Sequence, residues 1–164
     1  MTSAVLDEAL KKAALAWVSV GDGPALGLWC MPLDGSLIVV TGPGEQFAPD
    51  LPGAQRATVR LRGDNGGLIV VAEMTVARIL PGSDDWDATA PQLATKRLNA
   101  HGSADRVVTR WVEAGCTVLR LSPVEDATVT APDLPSESAG AEPRDTPARV
   151  EVRRPFRLHK VRRR

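Results

Sequence analysis

Two stretches of this sequence have the residue types and spacing to bind an anion. The first is Thr41-Gly42-Pro43-Gly44-Glu45-Gln46, a Gly-rich loop whose backbone N–H groups can cradle a phosphate. The second is Ala57-Thr58-Val59-Arg60-Leu61-Arg62. Side chains alternate along a strand, so Val59 and Leu61 share one face while Thr58, Arg60 and Arg62 share the other. Guanidinium groups take phosphate oxygens by paired, charge-assisted hydrogen bonds, and Arg56 stands just ahead of this basic face. Each stretch also has a plain structural reading, a turn for the loop and a solvated outer face for the arginines.

Self-sufficient catalytic chemistry is absent. Cys30 and Cys116 lie in apolar, strand-like contexts without the closely spaced Cys/His partners of a zinc site, and read as buried thiols in a reducing cytoplasm. His101 falls in a loop and His159 near the end of the chain, so neither cysteine has a base beside it. No nucleophile stands next to a base in a recognisable motif, which argues against cofactor-independent hydrolysis or transfer.

The elements that must position these groups are mostly strands. Leu6, Leu10, Ala13, Ala14 and Trp17 recur at helical spacing, with Asp7, Glu8, Lys11 and Lys12 mostly on the other side, which predicts an amphipathic first helix. The period then shortens, and Trp17–Val20, Ala25–Met31 and Leu37–Thr41 read as strands separated by Gly21-Asp22-Gly23-Pro24 and Asp34-Gly35. Asp34-Gly35 between apolar runs predicts a tight hairpin. Phe47–Gly53 reads as a loop or a single helical turn, and Leu68–Leu80 as a strand long enough to bend across a barrel. Ser83 or Asp84 caps a helix, Pro91 starts a second short one, and Lys96, Arg97 and Asn99 follow with Leu93 and Leu98 toward the core. Ser103 caps Ala104–Ala114, Gly115 ends it, and Thr117–Leu121 is the last strand. The fold class is therefore mainly β (α+β), a six-stranded β-barrel with flanking helices over residues 1–122.

From Pro123 onward apolar periodicity fades, and Pro, Ser, Glu, Asp and Ala predict a disordered tail over residues 123–164. The formal net charge is zero, but residues 1–131 hold 11 Lys/Arg against 15 Asp/Glu, and residues 132–164 hold 9 against 5. The tail is basic at its end. No window reaches the roughly 20 apolar residues of a membrane span and the N-terminus lacks a signal-like apolar run, so the expected location is the cytoplasm, with no membrane partner.

The order of elements from the first helix through Leu121 resembles the pyridoxamine 5′-phosphate oxidase-like split β-barrel family, in its actinobacterial flavin- and deazaflavin-binding type. The resemblance is carried by Trp17-Val18-Ser19-Val20, Leu28-Trp29-Cys30 leading to Asp34-Gly35, Thr41-Gly42-Pro43-Gly44, Thr58-Val59-Arg60-Leu61, and the closing stretch with Trp86, Lys96, Arg97 and Leu98. It implies a homodimer with FMN or deazaflavin (coenzyme F-420) in the dimer groove, an oxidoreductase activity on a small organic molecule, and cofactor contacts from Thr41, Gly42, Gly44, Gln46, Arg60, Arg62, Lys96 and Arg97. Hydride chemistry would belong to the cofactor, so no acid–base motif is required of the chain.

The chain departs from the family where FMN-binding members carry a basic residue in the second strand and another soon after the third; here stand Gly27 and Glu45-Gln46. Arg56, Arg60 and Arg62 are the available substitutes. The tryptophans, Trp17, Trp29, Trp86 and Trp111, read as core or dimer-interface residues. The alternative reading is a cofactor-free dimeric barrel whose basic tail docks on an acidic partner or nucleic acid. It draws on the 8 Lys/Arg and 1 acidic residue from Arg149 onward.

Overall fold

The computed structural model describes residues 4–64, 66–97 and 99–130, together with Leu134 and Pro147. Its elements are α1 (Ala4–Lys12), β1 (Leu15–Ser19), β2 (Leu26–Trp29), β3 (Met31–Leu33), β4 (Ser36–Thr41), a 3-10 turn (Leu51–Gly53), β5 (Arg56–Arg62), β6 (Leu68–Ile79), α2 (Asp84–Lys96), α3 (Ala104–Glu113) and β7 (Thr117–Thr130). All strands pair antiparallel in one sheet, ordered β2-β1-β5-β6-β7-β4-β3.

The two end strands of that order, β2 and β3, are separated in the chain by Cys30 alone. They are therefore two halves of one bent strand that pairs with β1 on one side and β4 on the other, and the sheet rolls into a nearly closed barrel. This explains why Ala25–Met31, expected as one strand, is found as two and the strand count rises from six to seven. The N–H of Cys30 turns to the carbonyl of Ala14, 3.1 Å away, at the bend. The Asp34-Gly35 hairpin is present: Leu33 pairs Ser36 across a two-residue turn with φ of 48° and 72°, the left-handed pair such a turn requires.

The barrel interior is filled by Val18, Leu28, Val39, Val59, Met74 and Leu119 with their neighbours. Leu6 and Leu10 of α1 and Ala48 and Leu51 of the segment before β5 join the same core. β4 is buried along its whole length because a second apolar layer covers its outer face. There Ile38 and Val40 pack with Val118 and Ile79 beneath Trp86 and Leu93 of α2 and Val107 and Trp111 of α3. A continuous apolar run such as Leu37–Val40 is the sequence form of a strand covered on both sides.

Three further expectations are corrected. The first helix stops at Lys12, and Trp17 lies in β1, where its strand neighbours set its direction. Pro91 does not begin a second helix but sits inside α2, on its exposed side, where the carbonyl deprived of a donor can bond water. Ser83 caps α2 by accepting from the Trp86 N–H at 3.1 Å. The expected tail boundary at residue 122 also moves, because β7 runs on to Thr130. Thr128, Val129 and Thr130 pair with Ala72, Val71 and Val70 after a bulge opposite Glu73, and Asp126 there takes a φ of 58°. That bulge hides the strand in the sequence, because Pro123, Glu125 and Asp126 read as loop. Leu98 and, apart from Leu134 and Pro147, residues 131–164 lie outside the described residues, so the rest of the expected tail does too.

Candidate functional site

With α2 and α3 covering one side of the barrel, the opposite wall of β2, β1, β5 and the first half of β6 carries outward-facing side chains. Strand register fixes which ones meet. Trp17 lies opposite Gly27 on one side and Arg60 on the other, Leu15 lies opposite Trp29, and Arg60 lies opposite Val71. Directly opposed residues share a face, so Leu15, Trp17, Gly27, Arg60 and Val71 form one surface, at whose edge Trp29 packs against the layer beneath α2 and α3.

At Gly27 the indole of Trp17 lies close enough that an added Cβ would meet its ring at 3.4 Å. The Arg62 guanidinium sits over the Trp17 ring at 5.6 Å and donates to the Gly66 carbonyl at 2.9 Å. Arg60 donates to the Ser19 hydroxyl at 2.9 Å. Among the described residues, neither Arg60 nor Arg62 pairs with a carboxylate. Arg56, by contrast, is paired with Glu73 at 2.9 Å, and its charge is already matched.

The Thr41–Gln46 loop folds back on itself. The Gly42 N–H donates to the Gln46 carbonyl, the Glu45 N–H donates to the Gly42 carbonyl at 3.0 Å, and the Thr41 hydroxyl donates to the Gln46 carbonyl at 2.8 Å. Gly42 has a φ of 136°, and a Cβ there would come within 2.9 Å of the Cys116 Cα, so backbone approach requires glycine at this point. Gly44, at φ 74°, completes the turn. The Gln46 side chain leaves the loop altogether: its amide oxygen accepts from the Trp29 N–H, and its nitrogen donates to the carbonyls of Trp29 at 2.9 Å and Val40 at 3.3 Å. Gln46 thus bridges β2 and β4 where the barrel is split.

Glu45, beside Gln46, has a fully buried side chain. It accepts from Arg97 at 2.9 Å, from Arg110 at 2.6 Å and from the Trp111 indole N–H at 2.9 Å. This ties the loop to the C-terminal end of α2 and to α3. Arg97 also stands over the Trp29 ring at 6.0 Å, and Lys96, beside it, is exposed in the last turn of α2.

The eight residues expected to hold a cofactor therefore separate. Arg60 and Arg62 share the open wall. Thr41, Gly42, Gly44, Gln46 and Arg97 gather around Glu45 and Trp29 at the split, and Lys96 lies outside both groups. Sequence reasoning missed the pairing of arginines with Trp17 and Trp29 and the lock at Glu45. No local signal marks Glu45 as one half of a buried ion pair, because its partners Arg97 and Arg110 lie 52 and 65 residues away. Burial pushes the Cys30 thiol up to about 12, and burial together with the Glu45 carboxylate raises that of Cys116, so neither is a ready nucleophile. No cluster of metal-ligating side chains occurs among the described residues, and no described helix is long and apolar enough to cross a membrane.

The donor set of the open wall fits a phosphorylated ligand, because two fixed guanidinium groups remain without a carboxylate. The Thr41–Gln46 loop fits one poorly, since its hydroxyl, its amide and two of its backbone N–H groups are spent within the fold.

No family model and no curated protein matches the sequence. Solved structures do match. The Vibrio cholerae heme storage protein HutZ superposes with a TM-score of 0.55 at 9% identity, over 75% of this chain and 89% of that one. A conserved hypothetical protein of Mycobacterium tuberculosis gives 0.54 at 15% identity, over 86% and 93%. A Listeria innocua protein named for pyridoxamine 5′-phosphate oxidase gives 0.51 at 10% identity, over 76% and 93%. At such identities the likeness is one of architecture: this chain has the split β-barrel fold that these proteins share.

Proposed function

We propose that this chain binds a flavin or deazaflavin on its open strand wall and works as an oxidoreductase on a small organic molecule. The observation that carries this reading is the pair Arg60 and Arg62, both held by neutral partners and neither neutralised by a carboxylate among the described residues. Their role is to hold the cofactor's phosphate, with the Trp17 indole and the Gly66 carbonyl keeping the Arg62 guanidinium in place before the ligand arrives. The cofactor supplies the hydride chemistry. The exposed Leu15, Ile69 and Val129 of the same wall support a homodimer, in which a second copy covers apolar area and excludes water from the bound ring. The actinobacterial type, the choice of deazaflavin and the cytoplasmic location belong to this proposal. Absorbance titration with FMN and with oxidised deazaflavin tests it: saturable binding of either supports the reading, and binding of neither removes it.

The spent polar groups of the Thr41–Gln46 loop favour a second reading, a cofactor-free dimeric scaffold whose basic terminus contacts an acidic partner or nucleic acid. Truncation after Pro147 removes the cation-rich end. Salt-dependent polyanion binding that survives the truncation excludes the tail as its cause.

A further inference from the structure

We propose that the end of the barrel opposite α1 is a second binding site, for a small uncharged apolar molecule such as a single ring or a branched short chain. A cavity of about 100 Å³ opens there between the end of β1, the start of β2 and the segment leading into the 3-10 turn. Its walls are Val18, Val20, Leu26, Leu28, Ala48 and Leu51. Four of these, Val18, Leu28, Ala48 and Leu51, are at most 4% exposed and belong to the barrel core, so a guest would rest directly on that core. A dry apolar cavity of about 150 Å³ in another protein takes benzene, and this smaller one is open on one side, so part of the guest can protrude.

Phe47 stands at the mouth with 52% of its surface exposed. Its backbone is tied on both sides by a single hydroxyl: Thr41 Oγ1 donates to the Gln46 carbonyl at 2.8 Å and accepts from the Ala48 N–H at 3.2 Å. The backbone that carries the ring is therefore held in place, and the ring lines the cavity where a guest would touch it. Burial of a large exposed ring against an apolar guest stabilises the complex through the area both remove from water. The charged group at the mouth is the exposed Asp50 carboxylate, which selects against acids. The site shares no residue with the Trp17, Arg60 and Arg62 wall, and its fate is independent of flavin binding.

Methyl-resolved NMR of the full chain during titration with benzyl alcohol reads the site directly. Saturable shifts are expected in the methyls of Val18, Val20, Leu26 and Leu28, while those of Val71 and Val129 on the open wall stay put. Benzoate should bind more weakly, and Phe47→Ala should weaken benzyl alcohol by about fivefold or more through lost apolar contact. Val20→Phe, which fills the cavity from its partly exposed rim, should abolish binding with the fold intact. Absence of saturable shifts, equal shifts on the open wall, or an unchanged affinity in Phe47→Ala would overturn the proposal.

Discussion

Gln46 satisfies both backbone groups of Trp29, its amide oxygen accepting from the N–H and its amide nitrogen donating to the carbonyl at 2.9 Å. A side chain here does the work of a strand partner, and the same nitrogen reaches the Val40 carbonyl at 3.3 Å on the far side of the split. Gln46→Ala leaves these groups partly buried without their partner. Unfolding in urea should show a loss of about 2–4 kcal/mol. Gln46→Glu should lose nearly as much, because a carboxylate can accept from Trp29 but donates to neither carbonyl.

Glu45 holds the loop to the helices. Replacing it with Gln keeps the shape and removes the charge that Arg97 and Arg110 share. Breaking a fully buried pair costs about 3–5 kcal/mol, and because these arginine side chains are 25% and 41% exposed, water limits the loss here to about 2–3 kcal/mol. The Trp111 indole loses a charged acceptor in the same variant, so a shift in tryptophan emission should accompany the lower unfolding midpoint.

Cys30 ties stability to alkaline pH. Its folded pKa, about 12, lies above the ordinary 9.0, so between those values the unfolded chain has lost a proton that the folded chain keeps. Stability therefore falls as pH rises through this window, by about 1.4 kcal/mol per unit from this one thiol. Urea midpoints measured from pH 8 to pH 11 should decline less steeply in Cys30→Ala than in the parent. At pH 8 the native Cys30 should resist a thiol reagent that labels it at once in urea.

The architecture was legible in the sequence wherever local periodicity and turn chemistry agreed, as in the Asp34-Gly35 hairpin, the Ser83 cap and the alternation of β5. It was illegible where a long-range constraint overrode a local one. Cys30 looks like the middle of a strand because the bend there depends on β1 and β4 pairing from opposite sides. Residues 123–130 look like a tail because their pairing partner, β6, lies about fifty to sixty residues earlier and a bulge breaks the alternation. At the site, the basic face of β5 could be read from period two alone. The internal use of Thr41, Glu45 and Gln46 could not, since a Gly-rich loop has the same composition whether its polar groups face a ligand or the rest of the chain.

The central claim rests on Arg60 and Arg62, and affinity for FMN and for oxidised deazaflavin in the parent chain and in the Arg60→Ala/Arg62→Ala double variant tests it most directly. Both side chains bond neutral groups on the outer wall, so the double variant should fold with a nearly unchanged unfolding midpoint. The account predicts saturable binding of FMN or deazaflavin by the parent and a weakening of about tenfold or more in the double variant, from the loss of two charge-assisted contacts. A parent chain that binds neither cofactor, or a double variant that binds the parent's cofactor equally well, would contradict the account.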